Sequence, residues 1–264
     1  MSLDRLRQLA GQIKAKQEMD KSLEMAQKRQ RRMLPTIPKL QGIDFHAFYQ
    51  PATNLSGDFY DFIHISPTQI GIALGDVSGH GIEAGIIMGM AKKALQIYAQ
   101  GKTNPKDPLS LTNTDLATDL DGETFVSACY GILDTGARKF SFARAGHNPP
   151  YLINPARTPT ITEIKPNGMV IGVDKTGKRF PSVLQEQIID LQQGDLLMYY
   201  TDGVVEAPNP EREEFSEEKL KELLLRNHAH PVAAIIENVV DSVMTHIGTR
   251  EQEDDITLIG FKVL

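Results

Sequence analysis

From residue 42 onward, apolar and polar positions alternate with a period of two, and before it they do not. Ile43, Phe45, Ala47 and Tyr49 occupy every second position, which predicts a half-buried strand. Similar runs predict strands at 58–66 and 69–76, joined by a tight turn at 67–69. The period then changes. Ala84, Met88, Ala91, Leu95 and Tyr98 fall on one face of a helix over 80–100, and Ile82, Ile86 and Ile87 extend its burial to most sides. A polar, proline-containing stretch at 102–122 predicts one short helix. Strands return at 125–133 and 138–145, linked through Thr135 and Gly136, with short strands near 150–153, 161–164, 185–190 and 195–201. Helices are predicted at 216–227 and 231–247. The second carries Val232, Ile235, Ile236, Val239, Val240 and Val243 on one face, with Gly248 as its stop. A final strand covers 256–264.

Hairpin-linked strands with helices inserted in groups give an α+β class, antiparallel sheets covered by helices, assigned to residues 35–264. Regular βαβ alternation is absent, which excludes a doubly wound nucleotide fold. Residues 1–34 form a separate segment, rich in Lys, Arg, Gln and Glu and ended by Pro35 and Pro38. Its apolar positions (Leu3, Leu6, Ala10, Ile13, then Met19, Leu23, Ala26, Met33) have helical spacing with a register break near 15–18. So thin a stripe forms no core alone. It calls for packing on the main domain or pairing with a second copy, as a signalling linker or dimerisation helix.

Composition narrows the partners. With 41% hydrophobic and 23% charged residues the chain has an ordinary globular balance, and its net charge of −6 argues against nucleic acid. One cysteine, Cys129, permits no internal disulfide and suits a reducing cytoplasm. The longest apolar stretch, around 81–91, is interrupted by Glu83 and followed by Lys92 and Lys93, too short to insert in a membrane.

Candidate chemistry lies in aspartates at predicted strand ends: Asp58 with Asp61 close behind, Asp76, Asp202, and the Asp254–Asp255 pair. Each adjoins an apolar run, so converging strand ends would bring several negative charges together. Such a cluster is costly unless cations neutralise it. Oxygen ligands of this kind suit Mg²⁺ or Mn²⁺, and no Cys/His set has zinc spacing. Adjacent glycines, Gly203 among them, let backbone approach an ion. One Asp-Gly is ordinarily a turn; the ordered series is what points to a site. His80, between two glycines, is either an accessory group or an exposed loop residue. His147 is read as a strand-end histidine bonded to nearby backbone, and Cys129 as packing. Leu133-Asp134-Thr135-Gly136-Ala137 matches an aspartic-protease signature superficially, but it falls where a hairpin turn is expected.

The segments 50–61 (Gln-Pro-Ala, then Leu-Ser-Gly-Asp-Phe-Tyr-Asp), 75–81 (Gly-Asp-Val-Ser-Gly-His-Gly), 145–149 (Ala-Gly-His-Asn-Pro), 200–207 (Tyr-Thr-Asp-Gly-Val-Val-Glu-Ala) and 254–258 (Asp-Asp-Ile-Thr-Leu) together resemble the SpoIIE/RsbU branch of the PPM-type protein phosphatases. The resemblance runs from about residue 34 to the C-terminus. It implies two packed antiparallel sheets flanked by helices, with two divalent cations at one edge. It also implies a serine/threonine phosphatase whose nucleophile is a metal-activated water. Asp76 would bridge the ions, the Val77 backbone carbonyl would complete one shell, and Asp58, Asp202 and Asp254 would supply the other carboxylates; Asp255 is the fallback for Asp254. The implied substrate is a phosphorylated protein, such as a STAS-type anti-sigma-factor antagonist. A non-catalytic binding module on the same fold is the alternative. Three departures stand out: Ser56-Gly57 where the family often has two glycines, Phe215-Ser216 where Phe-Gly is usual, and a short 102–122 connection.

Overall fold

The computed structural model describes residues 3–155 and 160–264, so residues 1 and 2 of the expected N-terminal segment lie outside it. In chain order it contains α1 (Leu3–Arg31), β1 (Ile43–Gln50), β2 (Phe59–Ser66), β3 (Gln69–Val77), α2 (Ile82–Tyr98), α3 (Lys106–Asp119), β4 (Val126–Asp134) and β5 (Lys139–Ala145). There follow β6 (Tyr151–Asn154), β7 (Thr160–Glu163), α4 (Arg179–Val183), β8 (Glu186–Asp190), β9 (Leu196–Tyr200), α5 (Asp202–Val205), α6 (Glu217–Asn227), α7 (Val232–Ile247) and β10 (Ile256–Val263). Two antiparallel sheets result, ordered β1-β10-β9-β6-β7 and β2-β3-β4-β5-β8. This is the α+β sandwich that the alternation predicts.

Strand alternation builds three apolar layers. On β9, Leu197 and Tyr199 face the other sheet, while Leu196, Met198 and Tyr200 face outward under α6 and α7. On β3, Ile70, Ile72 and Leu74 point between the sheets, whereas Ala73 and Val77 pack beneath α2 and α3. Aromatic rings fill the middle layer: Phe140 lies 5.9 Å from Phe142 and 5.4 Å from Phe261, centroid to centroid. Strands buried on both faces cannot slide by one residue without inverting both layers, so the register at their ends is fixed.

Several local expectations change. α2 does not bury most of its sides: Ile82 and Ile86 are 48% and 59% exposed, and the packed face is Ala84, Ile87, Met88, Ala91 and Leu95. That face also buries Lys92, whose Nζ lies 2.5 Å from Oδ2 of Asp61 on β2. α3 is a 14-residue helix, longer than its polar composition predicts, and α4 and α5 were not predicted. α1 runs unbroken through 15–18, because Lys, Gln and Glu there favour helix whatever the stripe does. Most of it stands in solvent, with Ile13 and Met19 more than half exposed. Its C-terminal third docks, with Leu23, Ala26 and Gln27 half-buried and Gln30 buried.

The unusual Ser216 adopts φ +80°, a left-handed conformation glycine would take without strain. Its hydroxyl accepts the Lys219 N–H at the start of α6, which offsets part of that cost. Leu133 to Ala137 forms the β4–β5 hairpin turn, where Asp134 accepts the Ala137 N–H; it is no protease dyad. Among the described residues no helix is long and apolar enough to cross a membrane.

Candidate metal centre

Four of the expected aspartates meet where strand ends from both sheets converge. Asp58 immediately precedes β2, Asp76 lies near the end of β3, Asp202 follows β9, and Asp254 stands just before β10. Asp76, Asp202 and Asp254 line a cleft of about 340 Å³ with Val77, Ser127, Asn148, Phe125 and Val170. Asp58 is buried behind them. Its Oδ2 accepts the Thr201 hydroxyl at 2.9 Å and the Thr257 hydroxyl at 2.5 Å. Thr201 also accepts the Thr257 N–H, so the ends of β9 and β10 are tied by the residues that orient Asp58.

Close packing at two glycines brings these elements together. A Cβ on Gly203 would lie 2.1 Å from the Asp255 carbonyl oxygen, so only glycine lets the Asp202 turn rest on the entry to β10. A Cβ on Gly57 would lie 2.9 Å from the Val77 carbonyl oxygen and 3.3 Å from Oδ1 of Asp76. A side chain at position 57 would therefore press on that carbonyl.

The electrostatics are those of crowded acids. Burial, then Asp202, Asp254 and Asp255, push Asp76 up to about 8. Burial first, with Asp202 and Asp255 adding to it, raises Asp254 to about 6, and burial raises Asp202 as well. Asp58 stands well above the carboxylate range, through burial and the neighbouring Asp76 and Asp255. Burial and like-charge crowding favour the protonated forms of Asp58 and Asp76 in the metal-free protein. Those protons offset charge where a cation would. Among the described residues, no three His, Cys, Asp or Glu side chains already close round a single point. With Asp58 turned to its threonines, the donors are gathered but not converged. An oxygen-rich, anionic donor set with a backbone carbonyl beside it fits a hard divalent cation.

The remaining candidates separate. Asp255 does not line the cleft: its Oδ1 accepts the Ala52 N–H, and its Oδ2 accepts the Ser56 hydroxyl and the Gly57 N–H. It ties down the loop that carries Asp58. Ser56 has its own use there, since its Oγ also accepts the Asp58 N–H. His80 is exposed beside the cleft, near Asp254. Asp61 leaves the cluster altogether and pairs with Lys92. Cys129 is buried in the core. His147 bonds to backbone as expected, through Tyr200, and also to the Ser127 hydroxyl. Sequence reasoning missed Ser127 and the Gln30 clamp, in which the side chain of Gln30 donates to the Ser56 carbonyl and accepts the Ser56 N–H. The small residue opposite Asp76 was the only signal for the first.

Comparison with known proteins bears on family and fold. The model of the family Stage II sporulation protein E (SpoIIE) matches residues 66–264. The chain belongs to the SpoIIE family. Bacillus subtilis phosphoserine phosphatase RsbU is 27% identical over 246 residues, covering 92% of this chain and 70% of RsbU. Protein IcfG of Synechocystis is 27% identical over 267 residues, and the chain spans 41% of its length. Among solved structures, the SiaA-PP2C domain of Pseudomonas aeruginosa superposes with a TM-score of 0.80 at 22% identity, over 94% of this chain and 98% of that one. RsbX in complex with magnesium superposes at 0.64 with 15% identity, over 87% of this chain and 99% of that one. These likenesses show that the SpoIIE-family chain has the PP2C sandwich.

Two expectations follow. Raised folded-state carboxyls favour the metal-free protein at low pH, and that contribution is lost as the pH climbs through about 6 for Asp254 and about 8 for Asp76. Cations compete with those protons, so one Mg²⁺ concentration should stabilise more at pH 8 than at pH 5. At a hundredfold excess over Kd the gain at pH 8 should be about 2.7 kcal/mol in thermal melts; equal gains at both pH values would contradict this. The acidic pair should also split. Asp254→Asn should raise the metal-free melting temperature at pH 8 by removing a like charge. Asp255→Asn should lower stability by about 2 kcal/mol by weakening three bonds.

Proposed function

We propose that this chain hydrolyses phosphoserine or phosphothreonine on a partner protein, using two Mg²⁺ or Mn²⁺ ions. Asp58, Asp76, the Val77 carbonyl, Asp202 and Asp254 would hold them, with Asp76 between the two. One observation carries the reading. Three carboxylates line the cleft, a fourth lies behind it, and none of the cleft's lining residues is Lys or Arg. Once ionised, these groups would repel a phosphate dianion by several kcal/mol per charge at a few ångströms in a partly buried site. Cations bound among them would remove that barrier. When bound, they supply an acidified water and offset charge on the phosphoryl oxygens.

The chain's own residues do the rest. Thr201 and Thr257 aim Asp58, Asp255 holds its loop, and the β3–β4 pairing holds Asp76. No cysteine nucleophile competes, since Cys129 is buried and its thiol is pushed up by desolvation. The name of RsbU, phosphoserine phosphatase, supports the substrate class. The SpoIIE/RsbU resemblance favours a phosphorylated STAS-type anti-sigma-factor antagonist in the cytoplasm. On the alternative reading, a non-catalytic module, neither cation nor Asp76 would matter. Asp76→Asn should abolish Mn²⁺-dependent phosphate release from a phosphoserine protein while the fold persists. Activity that survives in this variant, or in chelator, would sink the two-ion reading.

Residues 1–34 are proposed as a linker that transmits a signal and pairs with a second copy. The support is the Gln30 clamp, which joins the end of α1 to the loop leading to Asp58. Gln30→Ala should change the basal phosphatase rate severalfold, and removal of residues 1–34 should change the oligomeric state seen by light scattering. If neither moves, the helix is surface decoration.

A further inference from the structure

His147 has no part in the scheme above, yet it reaches the cleft wall. Its ring is 3% exposed, in the turn after β5. Nδ1 lies 2.7 Å from the Ser127 hydroxyl oxygen, and Nε2 lies 3.2 Å from the Tyr200 carbonyl oxygen. A carbonyl only accepts, so Nε2 must carry the ring proton. Burial keeps the imidazole neutral, its pKa pushed down to about 4. With one proton on the ring, Nδ1 is a lone pair, and Ser127 donates to it. The opposite tautomer would set lone pair against carbonyl in a buried place and leave a polar group unpaired.

The serine's only proton is thereby committed away from the cleft. Ser127 sits directly across from Asp76 in the β3–β4 register, and directly opposed residues project on the same face. Its side chain lines the cleft with Asp76, Asp202 and Asp254. What it presents there is lone pairs. A phosphoryl oxygen, itself an acceptor, gains nothing from them. A hydrated cation does, because its waters point their hydrogens outward, and Mg²⁺ keeps several of its waters. Nor is this pair an activated nucleophile. The imidazole is a weak base, and its far nitrogen is bound to a carbonyl rather than to the carboxylate that would stabilise an imidazolium.

We infer that Ser127, locked as an acceptor by His147, is a positioning residue that takes a hydrogen bond from a water in the cation shell beside Asp76. The inference rests on the two-ion reading and adds to it a specific outer contact. Such outer-shell partners typically govern metal affinity by 10-fold to 100-fold.

The test is calorimetric titration of the full chain with Mg²⁺, comparing wild type, Ser127→Ala and Ser127→Thr, with circular dichroism to verify folding. Ser127→Ala should bind Mg²⁺ at least about tenfold more weakly, and Ser127→Thr, which keeps the hydroxyl, should restore binding close to wild type. A folded Ser127→Ala with wild-type affinity overturns the inference while leaving the two-ion reading intact. A wild type that takes up neither Mg²⁺ nor, in a parallel titration, Mn²⁺ overturns both. A second measurement needs no variant: long-range ¹H–¹⁵N spectra of the metal-free protein should show His147 protonated at Nε2 alone. A proton at Nδ1 would overturn the acceptor assignment.

Discussion

Asp58, Asp76, Asp202 and Asp254 stand at the ends of strands from two sheets, where burial first and crowded carboxylates second raise their pKa values, and the rest of the architecture answers to that cost. Left to themselves such groups would swing apart or stay protonated. The fold prevents the first with short, directed bonds. Two threonine hydroxyls grip Asp58, and Gly203 lets the Asp202 turn rest against the backbone beside Asp254. The second is what a divalent cation would replace, charge for charge.

Holding like charges together requires stiff supports, and the sandwich supplies them. β3, β9 and β10 are buried on both faces, so their ends are as well determined as the aromatic layer between the sheets. The loop before β2 lacks that support and is held from two sides instead. Asp255 takes three donors from residues 52–57, while Gln30 reaches in from α1 to both backbone groups of Ser56. A helix that is mostly solvated thus ends within two residues of a candidate ligand. This is a mechanical link between the N-terminal segment and the site.

Much of this was legible in the chain. Period-two alternation located the strands because each had to bury one or both faces, and α7 was readable because a single apolar stripe met a single sheet. The aspartates were legible as a set because each adjoined a strand. Other features escaped. Ile82 and Ile86 read as core but lie in solvent, since helical spacing tells that a face is apolar and not whether anything covers it. Asp61 read as a companion of Asp58, yet alternation along β2 turns it away toward Lys92, a residue that composition alone would leave at the surface. Ser216 stands where the family usually has glycine, and only its φ of +80° shows that the backbone kept the glycine conformation while the hydroxyl became a helix cap.

By itself, then, the amino-acid order determined most of the element types, the α+β class and the placing of aspartates at strand ends, because these follow from local periodicity. Which of Asp254 and Asp255 faces the cleft became visible only in three dimensions. Adjacent residues at a strand entry point in different directions, and which one meets the cleft depends on the loop packed against the other. The same holds for Ser127 and His147. Their pairing spans β4 and the turn after β5, and the proton's position is dictated by a carbonyl 53 residues further on. No local pattern carries a contact of that range. Chain packing decided it, by setting a carbonyl against one nitrogen of a buried imidazole and a hydroxyl against the other.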